Sequence, residues 1–270
     1  MQSFKQVKLI ATDMDGTLLN SQRELPRDFF HILDELHRQK ILFVIASGRS
    51  YPTLSAQFDA CRDKLIFMAE NGCCIVNNNQ PVYMESMTKA QLSYLTGFCH
   101  QLPQAYPILS GYRHAYVFNS TPAAVMKVID LYYENIRCIN DISDIPEPIC
   151  KITVCDITGA EEHSFPLLSQ LQPPYRATLA GYTWIDLGLT HTSKGRGLAA
   201  LQKEYHISPD ETMVFGDYLN DCEMMQQGYF SYAMSNAHPD LKAVSRFETL
   251  SNDEEGVMHI IRQLLAALKE

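Results

Sequence analysis

No run of apolar residues in this chain approaches the roughly 18 that a membrane-spanning helix needs. The apolar stretch near the start has neither a basic flank nor a small-residue cleavage site, so it does not read as a secretion signal, and the expected compartment is the cytosol. Clustered positive charge is missing too: 31 acidic residues outnumber 22 basic ones, for a formal charge of −9. Nucleic acid and membrane surfaces are therefore not expected partners. Eight cysteines are present, but none forms a Cys-x-x-Cys pair and no histidine cluster has ligand spacing, so they read as reduced, packed thiols. Adjacent Cys73 and Cys74 are expected on opposite faces of a strand. Gly195-x-Gly197 lacks the third glycine of a dinucleotide fingerprint. There is no internal repeat and no low-complexity tract.

What is present begins with Asp13-Met14-Asp15-Gly16-Thr17-Leu18. Val7 to Thr12 is short, β-branched and apolar on both faces, the pattern of a strand covered on both sides in a parallel sheet. Side chains two apart on an extended backbone share a side, so Asp13 and Asp15 can face one crevice at the carboxyl end of the sheet, where open α/β sheets bind ligands. Three more buried strands, Ile41–Ala46, Leu65–Ala69 and Thr212–Phe215, end in Ser47-Gly48-Arg49, Glu70-Asn71-Gly72 and Gly216-Asp217. One rim of the sheet thus collects the polar residues. A helix is expected over Leu25–Gln39 with Pro26 in its first turn, and another near Glu254–Leu268 with Val257, Ile260, Ile261, Leu264 and Leu265 on one face.

With 270 residues, 46% of them hydrophobic, the chain can hold one large domain or two modest ones. The middle reads differently from the ends: helices near Thr88–Leu102 and Ala123–Tyr133, a third ending before Pro173-Pro174 with Pro166 in its first turn, and strands at Ala115–Phe118, Lys151–Val154, Arg176–Leu179 and Tyr182–Leu187. The expected architecture is α/β, a doubly wound, mostly parallel Rossmann-like sheet over 1–82 and 189–270. Residues 83–188 form an inserted α+β domain with a small antiparallel sheet.

Phosphoryl chemistry constrains what such a rim must contain. A phosphate dianion approaching a carboxylate is repelled by several kcal/mol, since two like charges about 4 Å apart cost about 4 kcal/mol at an effective dielectric of about 20. Lys194, Arg49 and a divalent metal collected by Asp13, Asp15, Asp217 and Asp221 can offset that repulsion. Hard oxygen donors favour Mg²⁺; calcium is disfavoured because Asp13-Met14-Asp15-Gly16 continues into Thr17-Leu18-Leu19 instead of a wrapping acidic loop.

Taken in order, Asp13-x-Asp15-Gly16-Thr17, Ser47-Gly48-Arg49, Lys194-Gly195 and Gly216-Asp217-x-x-Asn220-Asp221-x-x-Met224 resemble the four signature motifs of the haloacid dehalogenase-like hydrolases. Glu70-Asn71-Gly72, Met234-Ser235-Asn236-Ala237 and Asn252-Asp253-Glu254-Glu255-Gly256 extend the resemblance to the Cof-type branch, which carries a large α/β cap between the second and third motifs. The resemblance implies a magnesium-dependent phosphatase for small phosphorylated metabolites, such as sugar phosphates, pyridoxal phosphate or flavin mononucleotide. It implies Asp13 as the nucleophile of an aspartyl-phosphate and Asp15 as general acid and base. The metal would be held by Asp13, the backbone carbonyl of Asp15 and Asp217, with Asp221 in support. Ser47 and the amides of Met14 and Gly48 would bind phosphate oxygens, Lys194 would neutralise charge, and Asn220 would touch phosphate or orient Lys194.

Other readings stay open from the residues alone. Lys194 can be a solvated first-turn lysine behind the helix cap Ser193, and Arg49 can pair with a cap or substrate anion or with a surface acid. Tyr112, Arg113, His114 and Trp184 are candidates for the substrate pocket. A sugar phosphomutase and a phospho-acceptor signalling domain use related acid sets, and a non-catalytic relative would lack one of Asp13, Asp15, Lys194 or Asp217. The sequence gives no oligomeric state.

Overall fold

Strand β1 (Leu9–Asp13) is buried along its whole length, as the apolar run on both faces requires. The computed structural model describes residues 3–269. Helix α1 (Phe29–Arg38) turns Phe29, Ile32, Leu33 and Leu36 inward at helical spacing. It starts later than expected. Pro26 lies ahead of it, and its carbonyl accepts the Phe29 amide at 3.0 Å, so the ring leads into the helix instead of filling its first turn. Strand β2 (Leu42–Ala46), helix α2 (Tyr51–Gln57) and strand β3 (Ile66–Ala69) follow. The polar stretch around Asn77 is a tight turn between two further strands, β4 (Cys74–Asn77) and β5 (Gln80–Met84), with Asn78 and Asn79 both at positive φ. Cys73 sits in the helical turn before β4, so only Cys74 of the pair is in a strand. All eight thiols are free.

The insertion begins with α3 (Lys89–His100), opened by a reciprocal cap in which Thr88 and Gln91 bond each other's backbone amides. Then come β6 (Tyr106–Gly111), β7 (Ala115–Phe118), α4 (Ala123–Ile129), β8 (Ile136–Ile139), β9 (Ile149–Cys155), α5 (Phe165–Leu168), β10 (Tyr175–Gly181) and β11 (Trp184–Leu189). Helix α4 stops short of Tyr133 because its chain tightens into turns, the Leu131 and Tyr132 amides bonding the carbonyls of Val128 and Ile129. The six strands run in the order β10-β11-β9-β6-β7-β8. This sheet is mixed, not antiparallel: β7 and β8 are parallel neighbours. A parallel pair needs a crossover, and α4 supplies it. Leu95, Leu109, Tyr116, Ile152, Leu168 and Leu187 belong to its main core.

The chain then forms α6 (Lys194–Tyr205), β12 (Thr212–Gly216), α7 (Cys222–Met225), β13 (Phe230–Ala233), α8 (Pro239–Val244), β14 (Phe247–Glu248) and α9 (Gly256–Lys269). Val257, Ile260, Ile261, Leu264 and Leu265 of α9 are buried, as their spacing predicts. The second sheet runs β14-β13-β12-β1-β2-β3-β4-β5, parallel from β14 to β3, with β4 antiparallel to β3. Its central strands β1 and β12 are parallel neighbours and end on the same rim. Contacts divide the chain into two units: the described residues of Met1–Arg49, Phe58–Tyr83 and Ser193–Glu270 in one, Ser50–Gln57 and Met84–Thr192 in the other.

Candidate active site

β1 delivers Asp13 as its last residue, and β12 ends at Gly216 beside it. Two glycines let the loops beyond these strands pass closely. Gly16 adopts φ +81°, and a Cβ there would run into the Asp217 carboxylate. At Gly216 a Cβ would lie 2.7 Å from Asp221 Oδ2. That oxygen instead accepts the amides of Asp217 at 3.1 Å and Tyr218 at 3.3 Å, which folds the loop after β12 back on itself. Asp221 Oδ1 is left facing Lys194.

Lys194 is the first residue of α6, and the Ser193 Oγ caps that helix by accepting the Arg196 amide at 3.2 Å. Its side chain is fully buried. The ammonium donates to Asp13 Oδ1 and to Asp221 Oδ1, the latter at 2.6 Å. It is therefore not a solvated first-turn lysine. Asp217 is fixed from the other side by Thr17, whose Oγ1 donates to Asp217 Oδ1 at 2.9 Å.

One oxygen from each of Asp13, Asp217 and Asp221 lies within 4.8 Å of the other two. Three carboxylates against one ammonium leave the cluster short of positive charge. The consequence shows in its acidities: burial, with added repulsion from Asp221 and Asp217, holds the Asp13 carboxyl well above its usual range in spite of Lys194. Burial and Asp221 likewise raise Asp217, against the hydrogen bond from Thr17. Burial works against the charged lysine, but Asp13 and Asp221 outweigh it and raise the Lys194 pKa. An all-oxygen donor set with excess negative charge fits a hard divalent cation.

Asp15 lies outside this cluster. Its half-exposed carboxylate accepts from Arg49 Nη2 at 2.7 Å, so Arg49 is paired within the same unit. Met14 is buried, and its carbonyl accepts the Leu19 amide at 2.9 Å. At the end of β2, the Ser47 Oγ accepts the Arg49 amide at 3.2 Å and the Ser47 carbonyl accepts that of Asn71 at 3.0 Å. The Asn71 side chain lies 3.2 Å from where a Gly48 Cβ would be, and its Oδ1 accepts from Asn220 Nδ2 at 3.2 Å. Asn220 is thus joined to Asn71, while Lys194 is oriented by the two acids. Sequence reasoning assigned no role to Thr17, Asn71 or Asn236. Asn236 donates to the Gly16 carbonyl at 2.9 Å and accepts the Asn252 amide at 3.1 Å; the signal for all three is their place inside quoted motifs.

In the inserted unit, His114 Nδ1 lies 3.0 Å from Glu147 Oε1, Arg113 stacks over Tyr112, and Trp184 packs edge-on against Tyr132 and Tyr133. Among the described residues no helix is long and apolar enough to cross a membrane.

A family model described as haloacid dehalogenase-like hydrolase matches residues 10–261. The chain belongs to this family. It is of the Cof type, and it is a phosphoric monoester hydrolase acting on small phosphorylated metabolites. Among curated relatives, the 5-amino-6-(5-phospho-D-ribitylamino)uracil phosphatase YbjI of Escherichia coli (strain K12) is 30% identical, covering 96% of each chain. The phosphatase YwpJ of Bacillus subtilis (strain 168) is 25% identical over 96% of this chain and 100% of its own. Among solved structures, SMU.1108c from Streptococcus mutans UA159 superposes with a TM-score of 0.80 at 32% identity, over 96% of this chain and 99% of that one. For this hydrolase the insert carries its own mixed sheet, separate from the mostly parallel one.

Proposed function

We propose that the chain is a magnesium-dependent phosphatase that works through a phosphoryl group carried on Asp13. The observation that supports this most is the Asp13–Lys194–Asp221 arrangement: a buried carboxylate at a strand end, its counter-ion held in place by a second acid. An Asp13 oxygen attacks phosphorus in line as the bond to the substrate alcohol breaks, and Asp15 gives that leaving oxygen a proton. Water then attacks the same phosphorus and loses a proton to Asp15. The phosphorus–Asp13 bond breaks, and Asp13 is restored with release of inorganic phosphate.

Lys194 offsets negative charge on Asp13 and the transferring group in a buried, low-dielectric setting, where such charges act most strongly. Ser47 and the amides of Met14 and Gly48 hold phosphate oxygens. Asn220, joined to Asn71, keeps the loops after β12 and β3 in register with them. Asp13 and Asp217, with the Asp15 carbonyl, would hold Mg²⁺; when bound it supplies the positive charge the three acids lack and screens the incoming dianion. Asp221 spends one oxygen on two amides and the other on Lys194, so its part is to set the lysine.

Sugar phosphates, pyridoxal phosphate and flavin mononucleotide are the candidate substrates, together with the phosphorylated ribitylamino-uracil for which the E. coli relative is named. Phosphate release from this panel, with Mg²⁺ and again with chelator, tests the reading. Turnover of at least one member that chelator abolishes is expected; no metal-dependent release from any member contradicts it. Return of the phosphoryl group to a second sugar hydroxyl, in place of free phosphate, would make it a mutase.

A further inference from the structure

Three consecutive residues after β3 take left-handed backbone conformations: Glu70 at φ +52°, Asn71 at +54° and Gly72 at +92°. Glycine adopts this region freely and asparagine more readily than most, but a glutamate does so only where its surroundings enforce it. Strain of this kind collects at functional sites. The turn grips the loop after β2, since the Glu70 amide donates to the Arg49 carbonyl and the Asn71 amide to the Ser47 carbonyl, each at 3.0 Å. Gly72 presses on the start of α6: a Cβ there would run into the Ser193 carbonyl and lie 3.0 Å from the Lys194 Cα. All of these residues belong to the unit that holds the acid cluster.

Asn71 reaches two groups that the phosphatase reading sets around phosphate. In a trans peptide the N–H points opposite to the C=O, so the bond that fixes the Ser47 carbonyl also fixes the direction of the Gly48 amide. The Asn71 side chain lies against Gly48, 3.2 Å from where a Cβ would stand, and its Oδ1 accepts from Asn220 Nδ2 at 3.2 Å. Lys194 is oriented by Asp13 and Asp221, which leaves phosphate contact as the role for Asn220. The acids are held by other means: Asp217 by Thr17, and Asp221 by the amides of Asp217 and Tyr218. Phosphate contacts and metal contacts are thus set by separate residues.

We propose that Asn71 is a positioning residue for the phosphoryl group: its backbone amide aims Gly48, and its side chain holds Asn220 beside that amide without touching the acids that would hold the metal. The inference rests on the phosphatase reading for what the cradle binds, and it adds the residue that orders the cradle. Asn71→Gly isolates the side chain, because glycine keeps the backbone amide and accepts φ +54° without strain. Inorganic phosphate, titrated calorimetrically into the Mg²⁺-loaded protein, should bind Asn71→Gly about fivefold more weakly than wild type, the value of one hydrogen bond. Affinity for Mg²⁺ alone should stay within about twofold, which a general loosening of the site would not allow. In an Asn220→Ala background the contact is already gone, so adding Asn71→Gly should change phosphate affinity by less than about twofold.

Unchanged phosphate affinity in Asn71→Gly overturns the proposal. So does a parallel loss of phosphate and Mg²⁺ affinity, a full further fivefold loss in the Asn220→Ala background, or a wild type that binds no phosphate. Turnover is not needed for this test. A wild-type chain that binds phosphate in the Asn71-dependent way but releases none from any ester supports the positioning role while contradicting the phosphatase reading.

Discussion

Asp13 is asked to be a nucleophile while buried beside two other acids, and the physical tension in that demand is testable one residue at a time. Asp13→Asn removes the oxygen proposed to attack phosphorus together with one of three mutually repelling charges. Turnover should vanish while the metal-free protein melts no lower, and differential scanning calorimetry with and without Mg²⁺ checks the second half. Wild type should gain about 2.7 kcal/mol with Mg²⁺ at a hundredfold excess over its Kd, and the variant markedly less. An acid whose folded pKa lies above its ordinary 3.8 binds protons more readily folded than unfolded, so it costs stability as pH rises past about 4. Asp217 is such an acid. Metal-free Asp217→Asn should therefore gain stability relative to wild type between about pH 4 and 7, and that gain should shrink when Mg²⁺ is present.

At the scale of elements, the loop after β1 works only because Gly16 is a glycine. Gly16→Ala places a side chain at φ +81° and drives it into Asp217, so a loss of about 1–3 kcal/mol in urea unfolding and a fall of about a hundredfold in kcat/KM are expected. A variant of normal stability and rate would show that the loop does not position Asp217. The elements that position the site were the legible ones: β1, β2, β3 and β12 are buried on both faces and read as unbroken apolar runs. Strands without that signature escaped notice. β8 is an edge strand with Arg137 and Cys138 exposed and β5 is polar and partly exposed, while β6 is buried but carries Pro107 and ends in Ser110 and Gly111, which break its apolar run. The parallel β7–β8 pair was hidden for another reason: strand direction depends on the α4 crossover, a tertiary fact that periodicity does not carry. The partners inside the site divide in the same way. Asp13, Asp217 and Lys194 stood out as charged residues in motifs, while Thr17 and Asn71 act through single hydrogen bonds that only folding brings together across 200 and 149 residues.

For the whole molecule, two parallel strands at the middle of one sheet bring Asp13 and Asp217 to a common rim, and a helix entered after the inserted unit returns Lys194 between the acids. Residues far apart in the chain are thereby joined into one cluster, and the family to which the chain belongs hydrolyses phosphate esters. The central claim is that the phosphoryl group passes through Asp13. Acid quenching during steady turnover of a good substrate, followed by mass spectrometry of the peptide that spans residue 13, tests it most directly. The account predicts a fraction of that peptide carrying one added phosphoryl group on Asp13, absent from Asp13→Asn and absent when chelator is added before substrate. A phosphoryl group found on any other residue during turnover would contradict it.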